Sequence, residues 1–156
     1  MQAPLSICVT KAGLSAGTTT TFSTANAVVY SNRSKMYSVA IAVDVATPTL
    51  DADTGLVFAP VAANQGCVFL FGYNAAGVLN VTQSNIQALD ATGKFIIASQ
   101  MPAVAKGVTP FGYLVVSAGS SAVGTWVFGT SNLSGVTGIT YAFQDIMALP
   151  DRPQVA

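Results

Sequence analysis

A chain of 156 residues with 51% apolar side chains is long enough for one domain whose core removes about 68–70% of the unfolded surface from water. Only 8% of its residues are charged, six of each sign, and every acidic residue is Asp. A formal charge of zero supplies no field to steer nucleic acid or an anionic membrane, and the absence of His and Glu excludes a Ser-His-Asp triad, a Cys-His pair and histidine-based zinc sites.

Taken in order, Leu5 to Thr10 alternates well enough for a first strand, which Lys11-Ala12-Gly13 ends. The Thr run at 18–21, followed by Phe22, predicts an edge strand or ordered loop because Thr is β-branched. Ser23 to Asn26 reads as a turn, or as a short helical turn capped by Ser23. Ala27 to Tyr30 supplies another strand, and Ser31-Asn32-Arg33-Ser34-Lys35 a solvated turn. Tyr37 to Val45 is the clearest strand of the first half, with Tyr37, Val39, Ile41, Val43 and Val45 on one face and small residues on the other.

Pro48 to Gly55 is turn-rich, Leu56 to Phe58 a short strand stopped by Pro60, and Asn64-Gln65-Gly66 a turn into Cys67. Cys67 to Tyr73 predicts a central strand. Asn74-Ala75-Ala76-Gly77 is a hairpin turn from which Val78 to Thr82 pairs back. The next pair is Asn85 to Leu89 and Lys94 to Ala98, joined by Asp90-Ala91-Thr92-Gly93, and an irregular crossover runs from Met101 to Pro110. Residues 111–118 and 125–130 then read as a hairpin around Gly119 to Gly124. Phe111, Tyr113 and Val115 share one face, Trp126 and Phe128 another, and all five are expected in the core or a subunit seam. Ile139 to Asp145 is the last strand.

About ten short strands with turns every 8 to 12 residues predict an all-β domain, an antiparallel two-sheet β-sandwich with a jelly roll as one form of it. That domain is expected over 1–145, followed by an irregular, Pro-containing C-terminal arm over 146–156. No window approaches 18 uncharged, strongly apolar residues, and MQAPLSICVT lacks the pattern of a leader, so a soluble protein or a part of a soluble particle is expected.

Chemistry is sparse. Cys8 and Cys67 lie in apolar runs and read as two buried free thiols; a disulfide would need neighbouring strands with facing Cβ atoms, and the pairing stays open. Asp51-Ala52-Asp53-Thr54-Gly55 fits a turn held by Asp side chains better than a calcium loop, which would need more oxygen donors and a Glu. A glycosidase pair of Asp residues needs a defined separation that spacing does not supply. The tyrosines, Tyr30, Tyr37, Tyr73, Tyr113 and Tyr141, fit strand positions with a hydroxyl at a sheet or interface margin better than a sugar platform. No glycine-rich turn has phosphate-loop spacing. No catalytic residue, cofactor or metal is expected.

The strings FLFGYNAAGVL at 69–79, PFGYLVVSAG at 110–119 and TWVFGTSNLSGVTGITYAFQDIMALPDRP at 125–153 resemble small virion structural proteins of tailed bacteriophages and prophages. The resemblance spans roughly 85 residues and carries no chemical signature. It implies a non-enzymatic capsid decoration or cement protein on the virion surface, with the major capsid protein or other virion subunits as partners. It also implies a homo-oligomer, a trimer in preference to a dimer. A head-fibre, neck or tail module binding a receptor or carbohydrate is the alternative, with loops near Asn74, Ser120 and Asn132 as its contact points, and a small Asp-dependent hydrolase ranks third. The interface candidates are Pro4, Leu5, Trp126, Leu149, Pro150, Arg152 and Pro153; neither nucleic acid nor a membrane is expected as a partner.

Overall fold

The structure, a computed structural model, describes residues 6–147. Among them are eleven strands and no helix: β1 (Ile7–Cys8), β2 (Leu14–Ala16), β3 (Thr21–Thr24), β4 (Val28–Asn32), β5 (Lys35–Val39), β6 (Val45–Ala46), β7 (Gln65–Asn74), β8 (Leu79–Gln83), β9 (Gln87–Ala88), β10 (Val108–Ala118) and β11 (Ile139–Asp145). They form three antiparallel sheets, β1-β4-β5, β2-β3-β6 and β11-β10-β7-β8, with β9 continuing along the β7 edge that β8 leaves. The sheets pack against one another as an all-β sandwich.

β7 and β10 are central because their sequences are apolar in both parities, so each buries two faces. On the inner face Cys67, Phe69, Phe71 and Tyr73 of β7 meet Phe111, Leu114 and Val116 of β10. Against them pack Leu14, Phe22, Val28 and Tyr30 from the two smaller sheets, and Phe58, Trp126 and Phe128 from loops. On the outer face Val68, Leu70, Tyr113 and Val115 form a second cluster with Ile146, to which Phe95 and Met101 of the 90–107 connection add cover. Met101 of the expected crossover and Phe95 of the expected 94–98 strand therefore help to shield the second face of the sheet.

Several elements differ from expectation. The stretch 125–130 is a loop in which only Trp126 bridges to Val61. β10 has no edge to offer it, since β7 occupies one and β11 the other in registers ten and seven pairs long. Tyr37 to Val45 is not one strand: pairing stops at Val39, and Asp44 adopts a φ of 48°. Ala42 exchanges hydrogen bonds with Thr24 and turns inward, which leaves Ile41 and Val43 exposed and reverses the expected face. Ser23 and Thr24 belong to β3 rather than to a turn, and β2 was not foreseen.

Lys94 to Ala98 does not form a strand either; only Phe95 bridges to Leu89, and Ile96 and Ile97 face solvent. Within 31–35, Ser31 and Asn32 are buried in β4, so the turn narrows to Arg33 and Ser34, both at positive φ. The register of β10 on β7 shifts between Pro110 and Gly112. That bulge turns Phe111 to the inner face while Tyr113 and Val115 face outward, so the three do not share a side. The Asn74–Gly77 hairpin, with Gly77 at φ 74°, and the bounds of β11 agree with expectation.

Candidate functional site

Four of the five carboxylates among the described residues, the usual start of a site, are bound into the scaffold, Asp53 being the exception. Asp51, buried under the 50–57 turn, accepts from the N–H groups of Asp53 and Thr54 through Oδ1 at 2.8 and 3.2 Å, and from Gln83 through Oδ2 at 2.9 Å. This is the Asp-held turn expected from DADTG. Asp44 accepts from the Thr18 N–H at 2.7 Å and the Thr21 hydroxyl at 3.2 Å. Asp90 closes its turn by accepting from Thr92 and from the Lys94 N–H; the Thr92 hydroxyl contributes most to holding its carboxyl below the ordinary range. Asp145 accepts from the Leu14 N–H at 2.9 Å and so ties β11 to β2. Among the described residues no three of His, Cys, Asp or Glu gather as a metal-binding group.

The thiols lie equally deep. Cys8 and Cys67 are free and buried, as expected. Cys8 donates to the Thr10 carbonyl at 3.0 Å, and burial raises its pKa. Burial pushes the Cys67 thiol up to about 12, against the smaller opposing effect of the Gln83 amide, which donates to Sγ at 3.4 Å. A thiol kept protonated in this way is a poor nucleophile.

Trp126 is 2% exposed. Its ring meets Phe69, Phe128 and Tyr141 edge to face, and its indole N–H donates to the Asn132 carbonyl at 2.9 Å. Of the two roles expected for it, the structure places it in the core, with no face open to a partner. The remaining interface candidates, Pro4, Leu5, Leu149, Pro150, Arg152 and Pro153, lie outside the described residues, as does most of the expected arm. Of that arm's start, Ile146 is buried in the outer cluster and donates its N–H to Phe111.

Two hollows flank Ile139 at one end of the large sheet. One, of about 320 Å³, lies between the 122–126 and 130–137 loops; the other, of about 530 Å³, lies between the 91–94 turn and Ser117 to Ser121. Asn132 lines the first and Ser120 the second. Asn74 sits at the far end of β7, where its Oδ1 closes the hairpin by accepting from Ala76 and Val78. The three loops expected to act together thus divide between opposite ends of the sheet. No aromatic face lies open in either hollow, because Trp126 supplies a wall and its ring is covered.

What the surface does offer is apolar. Val123 is 92% exposed, Val43 73%, Ile97 69%, Val57 68%, Leu56 67% and Ile96 65%. They lie on loops and turns rather than on the sheet faces, and composition alone did not reveal which apolar residues the fold would leave outside. Comparison with protein-family models, with curated proteins and with solved structures finds no match to this chain.

Proposed function

We propose that this chain is a non-enzymatic structural protein of a tailed-bacteriophage virion, a decoration or cement protein that holds neighbouring capsomers together through subunit contacts. The observation that carries the reading is the apolar surface: among the described residues fourteen large hydrophobic side chains stand exposed, on a chain with only twelve charged residues in all. Such a surface suits burial against other subunits, where apolar area leaving water favours association at about 25 cal/mol per Å². The engagement of Asp44, Asp51, Asp90 and Asp145 in turns and strand ties fits a scaffold. The sequence resemblance supplies the virion context.

The test is occupancy. Particles assembled with and without the chain are compared for copy number by quantitative mass spectrometry and for resistance to heat and chelation. Stoichiometric incorporation with a loss of particle stability on omission is the expected result; absence from purified particles would overturn the assignment. Omitting residues 148–156 then asks whether the C-terminal segment contributes to retention. The receptor-binding alternative predicts hits on a glycan array and a location at a fibre or tail tip; the hollow beside Asn132 is where such a ligand would be sought.

A further inference from the structure

The two edges of the large sheet are treated differently. On β8, the Val81 carbonyl accepts from the Ala52 N–H at 2.9 Å and the Gln83 N–H donates to Asp51, so the 51–53 turn caps that edge. β11 at the other edge carries no such cover among the described residues. Ile146 donates its N–H to Phe111 across the Gly112↔Asp145 pair, and Gly119 donates to Gly138 across Ala118↔Ile139. By antiparallel alternation, Thr140, Ala142 and Gln144 turn their backbone groups toward β10, while Tyr141, Phe143 and Asp145 turn theirs outward. At the start of the strand Ile139 also faces outward and donates its N–H to the Val136 carbonyl at 3.2 Å, whereas the N–H groups of Tyr141, Phe143 and Asp145 have no partner among the described residues. The edge also lacks the devices that discourage pairing: no Lys, no Pro and no bulge interrupts its seven residues.

We infer that β11 is an association edge for a second copy of this chain, pairing antiparallel with its own counterpart across a twofold axis at Ala142. This deepens the assembly reading above and rests on it. The occupant is argued from self-complementarity. Centred on Ala142, the full length of β11 pairs: Tyr141 faces the second copy's Phe143, Thr140 faces Gln144 and Ile139 faces Asp145. The outward groups then form about six backbone hydrogen bonds. The smallest side chain of the strand falls where the two backbones come closest. The half-buried Tyr141 and Phe143 rings meet as cross-strand aromatic pairs and carry the inner core across the junction. No lysine or arginine lies on the strand, and the carboxylate of Asp145 is already bound by the Leu14 N–H. Pairing of this kind closes at two copies, so it specifies a dimer where the sequence resemblance suggested a trimer.

Light scattering of the purified full chain, combined with site-directed cross-linking, tests the inference. The expected mass is that of two chains. Ala142→Cys is expected to form a reducible dimer on mild oxidation, because Cα atoms about 4.5 Å apart in a narrow pair lie within disulfide reach. Ala76→Cys, on the exposed β7–β8 turn, should not, and the two native thiols are buried. Ala142→Lys, which sets two ammonium groups against each other, should shift the mass to one chain. The cysteine substitution probes the same register with a near-isosteric side chain, so it decides whether or not the lysine variant folds. A monomer, a trimer, or a dimer that Ala142→Cys does not cross-link would overturn the inference. Loss of particle occupancy with the dimer intact would instead overturn the virion assignment and leave the β11 pairing standing.

Discussion

Phe111 and Tyr113 are two residues apart in one strand and face opposite sides of it. Phe111 stacks on Tyr73 in the inner core, with ring centroids 4.7 Å apart, while Tyr113 is fully buried in the outer cluster with Val68 and Leu70. The register shift after Pro110 separates them, and it lets a single strand supply an aromatic residue to each face.

Trp126 joins the loops to the inner core. Trp126→Ala should cost about 3–5 kcal/mol in denaturant unfolding, because it removes a buried ring packed on Phe69 and Phe128 and one of the two donors to the Asn132 carbonyl, which keeps the Tyr141 hydroxyl. A near-neutral result accompanied by lost particle binding would assign the residue to an interface instead.

Asp51 holds its own turn and caps β8. Asp51→Ala leaves three N–H groups without their acceptor and should cost about 2–3 kcal/mol. Asp51→Asn keeps one acceptor oxygen and should lose roughly half as much. Amide hydrogen exchange should quicken at Gln83 in either variant; unchanged protection there would contradict the cap.

Cys67 should resist alkylation in the folded chain and react once the chain is unfolded. Its pKa rises from an ordinary 9.0 to about 12 because burial disfavours the thiolate. The folded state therefore favours the protonated thiol. The stability associated with that preference is complete below pH 9 and falls as pH climbs from 9 toward 12. Thermal melts across that range, compared with Cys67→Ala, check the sign: the wild-type melting temperature should drop more steeply with pH.

Arg33 and Ser34 turn β4 into β5 with φ of 50° and 64°, a conformation that costs a non-glycine residue about 1–2 kcal/mol. Replacing the pair by Asn-Gly should stabilise the hairpin by about 1 kcal/mol and raise Tm by about 2–4 °C. A lower Tm would show that the present side chains contribute more than the turn costs them.

Much of the framework was legible locally. Cys67 to Tyr73 is a continuous apolar run, Ile139, Tyr141 and Phe143 recur at every second position of β11, Gly77 marks its turn, and the DADTG loop carries its own hydrogen-bond acceptors. Each of these depends on neighbours a few residues away, so sequence pattern determined it, along with the all-β class and the shortage of acid-base chemistry.

Tertiary structure alone decided which edge each strand would find and which apolar residues would remain outside. Residues 125–130 have strand composition, yet β7 and β11 already occupy both edges of β10, so they close the core as a loop around Trp126. Val43 and Ile41 look like core residues until Ala42 bonds to Thr24 and takes their place. A strand has two edges and a core has a fixed volume. Competition for both is settled between segments far apart in the chain; among the described residues it left Tyr141, Phe143 and Asp145 of β11 without an edge partner and β8 capped by Asp51.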